Sequence, residues 1–274
     1  MVRMEHLNDK VEEIKQSFYG LIQHSYLQKY ITEPKVDEDK IRFMYAMLPE
    51  KLAKKDTKVF ILSALLAQAA LDIHEEVSLH NIKSDSIKKN RQLKILAGDY
   101  YSSLYYYLLA DGNHLPIIRI FSHSIQEINE DKMTVYREER LPYKNAEEIV
   151  KRIESILTQN MAEHFQLPAW KDVIADFFYL KRLIAEKEAW LKGKSVPLIR
   201  AIIFDYFGEA SQELALKKQE KEDILLICEQ KVEGVKDRLL TAAKGMQRIE
   251  KFVIDHVDHL LGSSVQTDKV AEEG

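Results

Sequence analysis

The residues that could do chemistry here are mostly carboxylates. Asp72-Ile73-His74-Glu75-Glu76-Val77 closes one apolar stretch, and Leu96-Ala97-Gly98-Asp99-Tyr100-Tyr101 lies within the next. Two neighbouring helices therefore carry acids near a common cavity. A further acid, Glu186, ends the run Phe178-Tyr179-Leu180-Lys181-Arg182-Leu183-Ile184-Ala185-Glu186, in which Lys181 and Arg182 are cationic. Asp255, His256, Asp258 and His259 have helical ligand spacing. No cysteine or third histidine near them completes a zinc set, so they read as a solvated face. His74 reads as a satisfied interior histidine. Asp99, next to Gly98 in an apolar helix, reads as a buried and paired acid. With Asp72 these two form a structural polar set.

The elements that must position these groups are helices. Nine glycines and six prolines in 274 residues leave room for long uninterrupted segments. Apolar residues recur at helical spacing almost throughout. Val11 to Ile22 marks a first helix, and Asp37 caps a second that ends near Met47. A long helix follows over Val59 to Val77, thinned by Ala64, Ala67, Ala69 and Ala70. Asn81 to Asn90 is a polar loop. Gln92 to Ala110 is helical and stops at Asp111-Gly112-Asn113. Later helices run from Pro116 to about Glu138, Ala146 to Phe165, Pro168 to Leu191, Leu198 to Phe207, Asp223 to Ala243, and Met246 to Leu261. Ser211 to Lys221 is highly polar. The expected fold is all-α, one helical domain over 1–262 and a polar, disordered tail over 263–274.

Composition excludes several classes. A net charge of −4 is not that of a nucleic-acid binder. The single Cys228 precludes an internal disulfide and points to a reducing compartment. Met1 to Lys10 lacks a signal-peptide core, and no apolar run reaches the ~18 residues of a membrane span. A cytoplasmic location is expected.

The two acidic segments resemble the all-trans polyprenyl diphosphate synthases, whose motifs are His-Asp-Asp-x-x-Asp and, on the next helix, Leu-x-Gly-Asp-Tyr. His74, Glu75 and Glu76 match the start of the first motif, and its last acid falls on Leu79. Ser122 to Tyr136 resembles the helix reading Glu-Gly-Glu-x-x-Gln. Gly193-Lys194-Ser195-Val196-Pro197-Leu198-Ile199 resembles the segment after the second aspartate motif. In that second motif Arg182 and Leu183 replace the first two acids, and Glu186 alone stays acidic. Glu154-Ser155 stands for a Lys-Thr pair. Small degenerate chains of this group occur as component I of two-component heptaprenyl (or hexaprenyl) diphosphate synthases, and Asp72-x-His74-Glu75-Glu76-Val77, with Arg91-Gln92-Leu93 and Leu96-Ala97-Gly98-Asp99-Tyr100, resembles component I of the heptaprenyl enzyme in particular.

The resemblance implies an isoprenoid-synthase-type helical bundle that lacks catalytic and metal-binding residues of its own. Glu75, Glu76 and Glu186 are then vestigial acids. Two unit charges about 4 Å apart interact by roughly 4 kcal/mol at an effective dielectric near 20. Arg182 in place of an acid reverses that term against a metal ion. The implied partner is a catalytic synthase subunit with intact aspartate motifs, which holds Mg²⁺. The implied product is a C35 diphosphate made from farnesyl and isopentenyl diphosphates for menaquinone; C30 stays open. Contact of this chain with prenyl diphosphate, and self-association of the isolated chain, also belong to this reading. Tyr100, Tyr101, Tyr105, Tyr106 and Tyr107 are either core or subunit interface, and five such positions cannot share one helical face. Tyr100, Tyr101, Tyr105 and Tyr106 are the candidate interface set. Phe60, Leu65 and Tyr101 are candidates by position for a tunnel floor. The alternatives are a self-sufficient Mg²⁺-dependent isoprenoid synthase and a helical scaffold unrelated to prenyl chemistry.

Overall fold

The computed structural model describes residues 4–77, 84–138, 140–208 and 216–272, and no strand occurs among them. Ten α-helices follow in order: α1 (Met4–Ile22), α2 (Glu38–Met47), α3 (Lys54–Glu75), α4 (Asp85–Asp111), α5 (Leu115–Arg137), α6 (Tyr143–His164), α7 (Ala169–Leu191), α8 (Pro197–Phe207), α9 (Lys218–Ala243) and α10 (Gln247–Glu272). The expected all-α class is the observed one. Leu79, and residues 211–215 of the polar stretch, lie outside the described residues. The chain divides into two compact units, 1–125 and 126–274, with the boundary inside α5. The backbone of α10 also continues to Glu272, past the expected end at 262.

In the first unit α3 is the centre. Thirteen of its 22 residues are buried, including Phe60, Ile61, Leu65 and Leu66. By length and composition α3 could cross a membrane, but 72% of its apolar window is buried inside the protein. Its apolar surface is thus core surface. Helix α4 packs against α3, and at Gly98 the His74 ring fills the space a side chain would take. A Cβ there would stand 1.9 Å from Nε2 of His74. Helix α1 lays Leu7, Val11, Ile14, Phe18 and Ile22 inward at helical spacing. Its Glu13 accepts from Lys10 and from Lys58 of α3. Those two ammonium groups hold the Glu13 carboxyl down at about 2. Asp37 caps α2 as expected, accepting from the Asp39 N–H at 3.0 Å.

In the second unit α7 is the centre, with 13 buried residues from Trp170 to Trp190. Helices α6, α8, α9 and α10 pack around it. The Tyr143 and Tyr179 hydroxyls meet at 2.5 Å, and the Lys231 ammonium sits 3.4 Å from the Tyr143 ring centroid. Burial pushes both phenols well above their ordinary range. His256 belongs to this core, which corrects the solvated-face expectation. It is buried, stacks on Phe252 at 4.1 Å and packs against Phe177. Asp258 and His259 are exposed.

Candidate functional site

The first acidic wall is the C-terminal end of α3 with the adjoining part of α4. Asp72, His74, Glu75 and Glu76 are all exposed, and Glu76 is the C-cap residue. Carboxylates at a helix C-terminus lie against the negative end of the macrodipole, so they attract a cation. Lys94 of α4 supplies one. Its Nζ lies 2.8 Å from Glu76 Oε2 and donates to the Glu76 carbonyl at 3.4 Å. The His74 ring lies over Gly98, with Nε2 3.4 Å from the Ile95 carbonyl and 3.8 Å from Asp99 Oδ1. Neither His74 nor Asp99 is interior: their side chains are 44% and 67% exposed. The expectation of burial fails because Asp99 falls on the outer face of α4, where Leu96 and Ser103 are also exposed. Asp72 accepts from Gln68 at 2.6 Å on the outside of α3. Glycine at 98 is thus a requirement of His74 packing, and the aspartate after it is a surface group.

The tyrosines of α4 divide by face. Tyr101 is buried, while Tyr100 and Tyr105 are half-buried. Tyr105 lies 5.8 Å from the Phe121 ring, and the Tyr100 hydroxyl donates to the Leu21 carbonyl at 3.4 Å. Tyr106 and Tyr107 are exposed, on the same side as Ile95 and Leu96. Of the candidate interface set, Tyr101 is therefore core, and only Tyr106 is exposed. Phe60, Leu65 and Tyr101 are all buried in the first unit.

The second wall is built on α7 within the second unit. Arg182 Nε donates to Glu186 Oε1 at 2.8 Å, and Nη1 donates to Glu154 Oε1 of α6 at 3.2 Å. The other Glu186 oxygen accepts the Leu198 N–H of α8 at 2.8 Å. Glu186 is 2% exposed. Burial raises its carboxyl above the ordinary range, while Arg182 and the Leu198 N–H oppose that shift. The side chain caps α8, whose own N-cap residue Val196 supplies no acceptor. The tight turn at Gly193, with φ +79°, brings α8 back to receive it.

Among the described residues, no group of three or more His, Cys, Asp or Glu is placed to hold a metal ion. Glu76 in the first unit faces the Lys94 ammonium, and Glu154 and Glu186 in the second face the Arg182 guanidinium. Further ion pairs lie nearby on α5, α6, α7 and α9: Arg152 with Asp131, Lys151 with Asp176, and Arg238 with Glu147. Asp131 had a readable signal, since an acid occupies a buried stripe with Ile117, Phe121, Ser124 and Ile128 and so needs a partner. A cleft of about 320 Å³ along α6 and α7 is lined by Glu148, Lys151, Arg152, Gln159, Asp172, Ala175 and Asp176. Its charged walls are the opposite of what a prenyl chain requires. Cys228 is buried, and that burial pushes its thiol up to about 12.

Comparison with known proteins gives a consistent result. A family described as heptaprenyl diphosphate synthase (HEPPP synthase) subunit 1 matches residues 24–233. Heptaprenyl diphosphate synthase component 1 of Geobacillus stearothermophilus is 30% identical over 190 residues, covering 69% of this chain and 83% of that protein. Among solved structures, octaprenyl pyrophosphate synthase from Helicobacter pylori aligns with a TM-score of 0.65 at 16% identity, over 91% of this chain and 99% of that one. Heptaprenyl diphosphate synthase from Staphylococcus aureus aligns at 0.66 with 13% identity, over 93% and 97%. At such identities the structural matches establish the fold alone.

Proposed function

The chain belongs to the heptaprenyl diphosphate synthase subunit 1 family, and from that premise we propose that it is the non-catalytic subunit of a two-component synthase. Membership makes it a component of prenyl diphosphate synthesis and sets aside a scaffold unrelated to that chemistry. The finer reading is a cytoplasmic heterodimer whose other subunit has intact carboxylate motifs, holds Mg²⁺ and performs the prenyl transfer. Its product is the C35 diphosphate built from farnesyl and isopentenyl diphosphates for the menaquinone side chain. This chain contributes one half of a helical interface through the outer face of α4, with Ile95, Leu96, Tyr106 and Tyr107.

The observation that carries this reading is Arg182 between Glu154 and Glu186. Ionising an allylic diphosphate leaves a polyanion that must be stabilised by cations held between carboxylates, and such stabilisation is commonly the largest catalytic term. Here the carboxylates of the second wall are engaged by the protein itself. That same arrangement counts against a self-sufficient synthase. The test is Glu75→Gln with Glu76→Gln in the reconstituted complex. The expected result is product formation at close to the unaltered rate. A loss of about a hundredfold or more with assembly intact would show that these acids still act.

A further inference from the structure

Carboxylates on adjacent helices are often joined by a bound cation. In the second unit a side chain makes that connection. Arg182 leaves α7 near its middle, reaches Glu186 one turn on at 2.8 Å, and reaches Glu154 on α6 at 3.2 Å. Glu186 then passes the contact to the first turn of α8 through the Leu198 N–H at 2.8 Å. One guanidinium and two carboxylates thus tie three helices together.

We propose that Arg182 is a tethered replacement for a bound divalent cation, a positioning residue that holds α6, α7 and the start of α8 in one arrangement without any ligand. The chemistry of the group suits the task. Guanidinium presents several N–H donors in a rigid planar fork, so it serves two carboxylates in different directions. Glu186 is almost fully buried and needs a counter-charge to remain ionised. A free ion would come and go with its concentration, whereas a covalently attached one is always present. This wall therefore does not open and close with metal or diphosphate, and the surface it supports stays constant. Lys94 plays a similar part on Glu76 in the first unit.

The test is thermal unfolding of the full chain, followed by tryptophan fluorescence, in a chelator and in millimolar Mg²⁺ or Mn²⁺. Trp170 and Trp190 are the only tryptophans, and both report on the second unit. The unaltered chain should melt at the same temperature in both media. Arg182→Asp should melt lower in chelator and recover at least half of the loss when ions are added, because it places a third carboxylate where the guanidinium was. Arg182→Leu should melt lower with no recovery. Equal melting of the Arg182→Asp and unaltered chains in chelator would overturn the proposal. So would a failure of ions to rescue Arg182→Asp, or an equal response of the unaltered chain. Should Arg182→Asp not fold, a double-mutant cycle of Arg182→Gln with Glu154→Gln decides. Coupling of about fivefold in the folding equilibrium supports the proposal, and additivity overturns it. Prenyl transfer by the lone chain would refute the functional reading and leave these melting results unaffected.

Discussion

Replacing Glu186 should reveal how a buried carboxylate is kept charged and what it holds. Its side chain is 2% exposed, pairs with Arg182 and caps α8. Removing one partner of a buried ion pair costs about 3–5 kcal/mol. Arg182 is 42% exposed, so water screens its end of the pair and the low end of that range applies. Glu186→Leu also strips the Leu198 N–H of its acceptor, and we expect a loss of about 3 kcal/mol. Glu186→Gln keeps an acceptor for Leu198 but turns an amide donor toward the guanidinium, for about 1.5 kcal/mol. With a urea dependence of about 2 kcal/mol per molar, the midpoint falls by roughly 1.5 M for leucine and half that for glutamine. The pH profile adds an independent check. The Glu186 carboxyl titrates above its ordinary value, so the native state binds this proton more tightly than the unfolded chain. Its contribution therefore declines as pH rises from the ordinary carboxylate range through the native value. Glu186→Gln should flatten that part of the profile. Urea titrations read by tryptophan fluorescence at several pH values measure both effects. A glutamine variant as stable as the parent, with an unchanged profile, would refute the reasoning.

Three further expectations concern the first unit. Gly98→Ala must displace the His74 ring, which can swing toward solvent, while alanine gains about 1 kcal/mol of helix propensity over glycine. It should be nearly neutral alone and stabilising by about 1 kcal/mol in a His74→Ala background; additive effects in a circular-dichroism urea cycle would show that the ring and Gly98 are not coupled. Tyr106→Glu with Tyr107→Glu should weaken binding to the catalytic subunit at least about tenfold, as hot-spot aromatics do, without changing helicity. Tyr105→Glu should instead lower stability, because Tyr105 packs against Phe121. Calorimetric titration that finds undiminished affinity for the double variant would exclude the outer face of α4 as the interface.

Much of the fold is written locally. The Asp37 cap and the Gly112 stop are decided by nearest neighbours and occur where the sequence places them, while α3 starts at Lys54, before the expected Val59, and α8 starts at Pro197, one residue before the expected Leu198. The site was harder to read because its meaning lies in partners far apart in sequence. Glu186 reads as a leftover acid until Leu198 and Arg182 are seen around it. Glu154 reads as a lost lysine until it meets Arg182 28 residues on. Lys94 carries no motif, and only the close approach of α3 and α4 brings it to Glu76. Asp99 misled for the converse reason: an apolar helix with one wet face looks, in sequence, much like a helix buried all round.

The most direct measurement is prenyl transfer from isotopically labelled isopentenyl diphosphate to farnesyl diphosphate, run with this chain alone, with the catalytic subunit alone and with both. Long-chain product should appear only when both are present, and the lone chain should give none at any Mg²⁺ concentration. Sustained turnover by the isolated, homogeneous chain would contradict the account.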